Sequence, residues 1–147
     1  MTILQIPGTL YQTLRAHAEA AYPQECCGAL LGQATENGWR VVVAVEAQNA
    51  SSESARNHYA IAPAELVRIA REARRLGLEI AGFYHSHPEG HAHWSPTDLN
   101  EAHWIGASYV ITAVRNGKAA ESCSFRLAGA TEEDKCFEPE AIEAIDG

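Results

Sequence analysis

Basic residues and cysteines are both scarce in this chain of 147 residues. Lysine and arginine together number 11 against 19 aspartates and glutamates, which gives a formal net charge of -8. Proteins that bind nucleic acid present basic surfaces to the phosphate backbone, so this balance argues against a nucleic-acid ligand. The four cysteines form no Cys-x-x-Cys pair and no disulfide framework, as is typical of a protein in a reducing compartment.

Long apolar runs are also missing. No stretch approaches the roughly 20 apolar residues that a membrane-spanning helix needs. The first residues lack the charged region, apolar region and cleavage site of a secretory signal. We therefore expect a cytoplasmic protein without a membrane partner. The length and the hydrophobic share of 46% predict one domain with a proper core.

The most informative pattern lies in residues 82–104, which read GFYHSHPEGHAHWSPTDLNEAHW. An apolar run over residues 78–84 predicts a strand that leads into His85 and His87. Side chains two apart in a strand project from the same face, so both imidazoles are expected to reach one point. Pro88 lacks the N–H that a sheet ladder needs and is expected to end this strand.

A helix is predicted to start after the loop that follows this strand. Ser95 suits the N-cap, Pro96 the first helical position, and Asp98 the third, where a carboxylate completes a capping box. The short loop brings Asp98 near the two histidines. Two imidazoles and one carboxylate on rigid elements, with no fourth protein ligand in sight, match the ligand set of a catalytic zinc site.

Each part of this pattern has an ordinary structural explanation when taken alone. Ser95 to Asp98 is a common helix start, and a single histidine at a strand end is more often a hydrogen-bonded structural residue. The metal hypothesis depends on the conjunction, since this order and spacing is improbable by chance. Three further histidines, His91, His93 and His103, could be spare ligands, substrate contacts or solvated residues, and we favour the last.

The combined motif resembles that of the JAMM (MPN-plus) metalloprotease family. It consists of His-Ser-His from residue 85, seven residues, Ser95, two residues and Asp98, and it is preceded by Glu25 in the segment YPQECCGALLG. Every spacing of the family's metal motif is present. The resemblance covers roughly residues 6–127. It implies an α/β fold, a mixed β-sheet flanked by helices, similar to that of the cytidine deaminases.

The resemblance also implies roles for five residues. His85, His87 and Asp98 are the expected ligands of a zinc ion, whose fourth position is left to a water. Glu25 is the expected general acid and base, and Ser95 the expected donor to the oxyanion. The implied activity is hydrolysis of a peptide or isopeptide bond beside a ubiquitin-like protein by a metal-activated water.

The loops around the motif are short and carry none of the insertions with which eukaryotic members hold ubiquitin. A compact domain of this kind resembles the bacterial members that trim the C-terminus of small ubiquitin-like sulfur carriers, which end in Gly-Gly. The expected partner is therefore such a carrier or its C-terminal peptide. Because glycine has no side chain, the Gly-Gly backbone of the carrier can pass close to the metal.

Several alternatives stay open at this point. A non-catalytic MPN-type scaffold usually lacks the metal ligands, which are all present here. A nucleobase deaminase would require a Pro-Cys-x-x-Cys motif, which the sequence lacks. Cys26 or Cys27 could act as a nucleophile, although buried strand cysteines are mostly inert. Glu89 is the rival base if Glu25 lies too far from the histidines.

The rest of the chain is divided by its composition. Residues 1–127 are expected to form the metalloprotease domain, and residues 128–147 an acidic C-terminal tail that is mobile or folds back as an edge element. Residues 49–57 are polar and serine-rich and predict a loop, and residues 58–62 a short strand. Apolar residues at helical spacing predict one helix before residues 49–62 and one helix after them.

Overall fold

The computed structural model describes residues 1–51 and 54–147 of the chain. In this part it contains seven strands and three helices, in the order β1 (Ile3–Pro7), α1 (Gly8–Ala21), β2 (Cys27–Thr35), β3 (Gly38–Ala47), α2 (Pro63–Leu76), β4 (Glu79–Pro88), α3 (Pro96–Glu101), β5 (Ser108–Arg115), β6 (Lys118–Ala128) and β7 (Cys136–Ile145). Among these helices we find none with the length and apolar character to cross a membrane.

The seven strands form one mixed sheet, with spatial order β1-β3-β2-β4-β5-β6-β7. Strand β1 runs parallel to β3 and to β7, and β4 runs parallel to β5, whereas the other neighbours pair antiparallel. The predicted α/β fold with a mixed sheet and helices is confirmed. The sheet closes into a barrel instead of remaining an open layer, because β7 pairs with both β6 and β1.

Strand β4 presents alternate residues to two different helices. Tyr84 belongs to a hydrophobic cluster that contains Leu14 of α1. Phe83 belongs to a second cluster, which contains Ile69 of α2. Because neighbouring side chains in a strand point to opposite faces, α1 and α2 cover opposite faces of the sheet here. The two histidines that follow Phe83 at even spacing therefore lie on the α2 face.

The segment before α2 departs from the prediction. Residues 58–62 contain no strand, so the short strand predicted there is wrong. The side chain of Asn49 holds these residues instead of a sheet ladder: its Nδ2 donates to the carbonyl of His58, and its Oδ1 accepts from the N–H of Ala60. The predicted loop over residues 49–57 includes positions 52 and 53, which lie outside the described residues. The described part of that loop has neither helix nor strand.

Residues 128–147 contain a strand with neighbours on both sides. In β7, Phe137 lies opposite Leu127 of β6, and Ala141 lies opposite Ile3 of β1. Glu138 and Glu143 are exposed on this strand, whereas Phe137 and Glu140 are buried. The segment that composition sets apart as a tail thus supplies the strand that closes the barrel.

A buried carboxylate fixes β7 in place. Glu140 is only 8% exposed. Its Oε1 accepts hydrogen bonds from the hydroxyl groups of Ser108, at 2.5 Å, and Ser124, at 2.8 Å, and its Oε2 accepts one from Thr2, at 2.6 Å. These hydroxyls lie on β5, on β6 and beside β1, so one side chain joins β7 to three other parts of the sheet.

We expect Glu140→Ala to lower the free energy of unfolding by about 2–3 kcal/mol, because it leaves three hydroxyl donors around an emptied acceptor position. Glu138→Ala on the same strand is the matched control, since Glu138 is exposed and its change should stay within about 0.5 kcal/mol. Urea unfolding of both variants checks the expectation. Equal stability of the two variants would show that Glu140 does not hold β7.

Candidate metal centre

Strand pairing brings Glu25 to the histidines. In the antiparallel ladder of β2 and β4, Cys27 lies opposite His85. Continuing this register by two residues places Glu25, which precedes β2, beside His87. A carboxylate oxygen of Glu25 and a ring nitrogen of each histidine all lie within 4.8 Å of one another. Glu25 is thus close enough to share a site with residues that follow it by about sixty positions in the chain.

His85, His87 and Asp98 converge more tightly. The Nε2 atoms of the two histidines are 3.1 Å apart. Asp98 Oδ1 lies 3.3 Å from Nε2 of His85, and Asp98 Oδ2 lies 3.1 Å from Nε2 of His87. The structure thus brings the two imidazoles and the carboxylate of the motif together. All three side chains are at least largely buried, with exposures of 2%, 15% and 10%.

The start of α3 holds Asp98 in this position. Ser95 is the N-cap, and its Oγ accepts a hydrogen bond from the backbone N–H of Asp98 at 3.1 Å. In return, the backbone N–H of Ser95 donates to Asp98 Oδ2 at 2.9 Å. This is the predicted capping box, with Pro96 at the first helical position. The box fixes the carboxylate of Asp98 beside the Nε2 atoms of His85 and His87.

A second contact orients His87. Its Nδ1 lies 2.9 Å from the backbone carbonyl of His91. Because a carbonyl only accepts, Nδ1 must carry a hydrogen, and in the neutral ring the lone pair is then on Nε2, which faces Asp98 and His85. The loop after β4 therefore selects the tautomer of His87 that can bind a metal. The Nδ1 atom of His85 and the Oε1 atom of Glu25 are buried without a hydrogen-bond partner among the described residues.

Burial and close contacts set the protonation of the site. Burial raises the pKa of Glu25 to about 8, although nearby His87 lowers it. Burial lowers the pKa of His85 below its usual value. The pKa of Asp98 lies well below its usual range, since the contacts with the two histidines outweigh the opposite effect of burial. Asp98 is therefore a carboxylate at neutral pH and His85 a neutral imidazole, the forms in which these groups bind metals.

The trio of His85, His87 and Asp98 fits a zinc ion. In a tetrahedral site with metal–ligand distances of about 2.0–2.2 Å, neighbouring ligand atoms lie about 3.3–3.6 Å apart. The three separations found here are 3.1–3.3 Å, so little movement is needed. Neutral imidazole nitrogens and a carboxylate oxygen are ordinary zinc ligands. Glu25 lies near the trio, with a carboxylate oxygen within 4.8 Å of a ring nitrogen of each histidine.

Asn49 is a residue of the site that sequence reasoning missed. Its Nδ2 donates to the backbone carbonyls of Glu25, at 3.2 Å, and His58, at 3.0 Å. Its Oδ1 accepts from the backbone N–H groups of Ser51, at 3.0 Å, and Ala60, at 3.1 Å. One amide side chain thus joins the backbone of Glu25 to the polar loop. Nothing in the sequence distinguishes Asn49 from the other polar residues around it.

Tyr59 covers the metal trio from the side of the same loop. Its ring stacks on the imidazole of His85 with a centroid distance of 4.3 Å and an interplanar angle of 21°. The backbone N–H of Glu25 also donates to the carbonyl of Ala55 at 2.6 Å. The loop before α2 therefore contacts both Glu25 and His85. The sequence predicts a loop for residues 49–57 and a short strand for residues 58–62, and it indicates no contact of either with the site.

A cleft of about 350 Å³ opens onto this site; it is lined by Glu25, His87, Ser95 and Asp98 together with Arg56, His58 and other residues of the two loops. A larger cavity, of about 620 Å³, lies between α1, β6 and β7 and includes Tyr11, Cys123 and Glu140 in its lining. None of the five residues predicted for the site lines that larger cavity. The smaller cleft contains four of those five residues in its lining.

The three histidines left open by the motif, His91, His93 and His103, do not join the trio. The side chain of His91 is 87% exposed, and that of His93 stacks on Trp94 at a centroid distance of 5.2 Å. His103 is also exposed, and its Nδ1 lies 2.7 Å from Glu132. The interpretation of these residues as surface histidines agrees with their positions.

The alternative base and the alternative nucleophiles are placed unfavourably. Glu89 is exposed and its carboxylate accepts from the backbone N–H of Asn116 at 2.8 Å, in the turn between β5 and β6. Cys26 and Cys27 are buried, and burial raises the pKa of their thiols to about 11 and about 12. Protonated thiols are poor nucleophiles. Glu25 is therefore the better placed carboxylate, and neither thiol is activated.

Comparison with known families is consistent with this geometry. The family model for prokaryotic homologs of the JAB domain matches residues 7–128. The match includes every residue of the metal trio, the residue Glu25 and the N-cap Ser95. It ends at the last residue of β6, before the strand that closes the barrel.

Three curated proteins are similar in sequence. The Haloferax volcanii protein named "Desampylase" is 36% identical over 89 residues, which cover 60% of this chain and 62% of that protein. A Thermus thermophilus protein named "Probable TtuB-protein conjugate cleaving protease" is 33% identical over 109 residues, or 74% of this chain and 69% of that protein. A Mycobacterium bovis "CysO-cysteine peptidase" is 29% identical over 125 residues, or 85% and 83%. The match thus spans less than two thirds of the Haloferax protein.

The fold is shared more widely than the sequence. A solution structure of a protein from Desulfitobacterium hafniense matches with a TM-score of 0.82 and 24% sequence identity. The match covers 98% of this chain and 94% of the other. Since it covers nearly the whole chain, the likeness of fold includes the C-terminal strand β7.

Proposed function

Because the chain belongs to the prokaryotic homologs of the JAB domain, we propose that it is a zinc-dependent peptidase that hydrolyses an amide bond beside a small ubiquitin-like protein. The family membership confirms the resemblance drawn from the motif. The observation that carries the proposal is the convergence of His85, His87 and Asp98 to separations of 3.1–3.3 Å, with Glu25 beside them. We also propose that the fold is similar to that of the cytidine deaminases.

We assign His85, His87 and Asp98 as the residues that hold zinc. They are preferred to a set with Glu25 because Asp98 lies closer to both histidines and is fixed by the capping box. Zinc in such a set supplies Lewis acidity, which lowers the pKa of water from about 15.7 toward roughly 7 and polarises an amide carbonyl.

Glu25 is the proposed general base and acid. Its carboxylate takes a proton from the attacking water and later gives it to the leaving nitrogen. A group with a pKa of about 8 can both hold and release a proton near neutral pH, which suits the two steps. Its buried Oε1 has no hydrogen-bond partner among the described residues, so no hydrogen bond within that part of the protein has to be broken before this oxygen takes a proton.

Ser95 is the proposed donor to the developing oxyanion. In the capping box its Oγ accepts from the N–H of Asp98, which uses a lone pair and not the hydroxyl hydrogen. Capping therefore leaves the hydroxyl hydrogen of Ser95 for the oxyanion. One donor to an oxyanion typically contributes on the order of 100- to 1000-fold in rate.

The proposed substrate is a ubiquitin-like sulfur carrier with an extension after its C-terminal Gly-Gly. The names of the three relatives, a desampylase, a TtuB-conjugate cleaving protease and a CysO-cysteine peptidase, support a partner of this class. All four cysteines are free, which supports action in a reducing compartment such as the cytoplasm.

Mass spectrometry tests the proposal. The zinc-loaded protein is incubated with a carrier that bears a C-terminal extension, and the expected product is the carrier that ends in Gly-Gly. A chelator should stop the reaction, and added zinc should restore it. An intact carrier in the presence of stoichiometrically bound zinc would contradict the proposed function.

We expect Asn49→Asp to reduce kcat by about tenfold or more while zinc content stays the same. The change removes the two Nδ2 donors to the carbonyls of Glu25 and His58, which leaves Glu25 tied to the described part of the loop by its bond to Ala55 alone, and small displacements in an active site are costly. Asn37→Asp, in the turn between β2 and β3, is the charge-matched control. Steady-state kinetics and elemental analysis of both variants test this expectation. Equal kcat values for the two variants would show that Asn49 does not position Glu25.

A further inference from the structure

Arg56 lies in a turn that is joined to Glu25. It lines the same cleft as Glu25. The residue before it, Ala55, accepts a hydrogen bond from the backbone N–H of Glu25 at 2.6 Å. Two residues after it, the carbonyl of His58 accepts from Asn49 Nδ2 at 3.0 Å. The backbone on both sides of Arg56 is therefore fixed relative to the proposed general base.

The guanidinium of Arg56 has no hydrogen-bond or ion-pair partner among residues 1–51 and 54–147, and the residue is exposed. Two of the four arginines on α2 are paired in contrast: Arg68 lies 2.7 Å from Glu65, and Arg75 lies 2.5 Å from Glu72. A guanidinium presents a planar pair of donors that matches a carboxylate. An unpaired one in the wall of a substrate cleft is suited to bind an anionic group of the substrate.

The position of Glu25 decides which group that is. To pass a proton to the leaving nitrogen, Glu25 must lie within hydrogen-bond reach of it. In a C-terminal residue joined by an ordinary peptide bond, only the α-carbon separates this nitrogen from a free carboxylate. In a conjugate with a lysine side chain, uncharged methylene groups follow the nitrogen. Only the first kind of substrate places an anion next to Glu25, in the cleft that Arg56 also lines.

We propose that Arg56 binds the free α-carboxylate of the leaving residue, so that the cleft selects carriers extended by a C-terminal amino acid over carriers joined to a lysine side chain. This inference rests on the proposed hydrolysis and specifies its substrate class. Arg56 acts in specificity, while Glu25 and the metal trio carry the chemistry.

The test compares three substrates of one carrier. The first ends in Gly-Gly plus one amino acid with a free carboxylate, the second carries the same amino acid as its carboxamide, and the third is joined to a lysine side chain. We expect the wild type to prefer the acid to the amide by about tenfold in kcat/KM, the effect of a charge-assisted hydrogen bond. Arg56→Gln should bring this ratio close to one. Arg71→Gln, on the exposed side of α2, is the matched control and should keep the wild-type ratio.

The outcomes separate this inference from the proposed function. An acid-to-amide ratio near one in the wild type, an unchanged ratio in Arg56→Gln, or a preference for the lysine-linked substrate would each overturn the inference while hydrolysis stands. Failure of the wild type to cleave any substrate would contradict the proposed function instead. In that case, calorimetric binding of the acid and amide carriers to zinc-loaded Glu25→Gln still decides. About tenfold tighter binding of the acid supports the role of Arg56, and equal affinities overturn it.

Discussion

Glu25→Gln is expected to bind zinc as the wild type does and to hydrolyse the carrier substrate about 100- to 10,000-fold more slowly. The amide keeps the shape of the side chain and its place beside His87, but it cannot take a proton from water. Burial with a pKa of about 8 makes the wild-type carboxylate suited to this transfer. Single-turnover hydrolysis and elemental analysis of the same preparation measure the two expectations together.

Glu89→Gln is the matched control for this variant. Glu89 is exposed and its carboxylate accepts from the backbone of Asn116, so the variant should keep wild-type hydrolysis. If Glu25→Gln retained turnover, the base would have to be another carboxylate. If both variants lost turnover to the same degree, neither loss could be attributed to proton transfer by Glu25.

His87→Ala is expected to lose both zinc and hydrolysis. The substitution removes one of three ligand atoms and leaves only His85 and Asp98, which cannot close a zinc site between them. Even the loss of a hydrogen-bond partner behind a ligand weakens metal binding by about 10- to 100-fold, so the loss of a ligand should weaken it by more than about 100-fold. Zinc content after dialysis and the rate of carrier cleavage, which should fall to background, check the expectation.

His91→Ala provides the comparison. Its side chain is 87% exposed, and the backbone carbonyl that orients His87 remains after the substitution. The variant should therefore bind zinc and cleave the carrier like the wild type. Loss of zinc from His91→Ala, or full retention of zinc by His87→Ala, would show that the ligand set is assigned incorrectly.

The parts of the site that are local in sequence could be predicted. Alternation in a strand places His85 and His87 on one face, and the capping box places Asp98 at a helix start, because both depend on residues close together in the chain. The position of Glu25 depends on the register of β2 against β4, which pairs Cys27 with His85. Register follows from packing across the whole sheet, so only the family resemblance indicated Glu25.

Two other features lay beyond prediction for related reasons. Asn49 acts through backbone groups of Glu25 and His58, contacts that leave no pattern in the sequence. In β7, only a few positions, such as Phe137 and Glu140, are buried, so the strand has the composition of a solvated tail. Its buried carboxylate is satisfied by hydroxyl groups from distant strands, an arrangement that exists only in the folded chain.

The most direct test is a crystal structure of the zinc-loaded protein with anomalous data at the zinc edge. We predict one ion per chain, held by the Nε2 atoms of His85 and His87 and by the carboxylate of Asp98, with Glu25 beside the ion and not bound to it. An ion held by Glu25 in place of Asp98, or zinc found only elsewhere on the chain, would contradict the account.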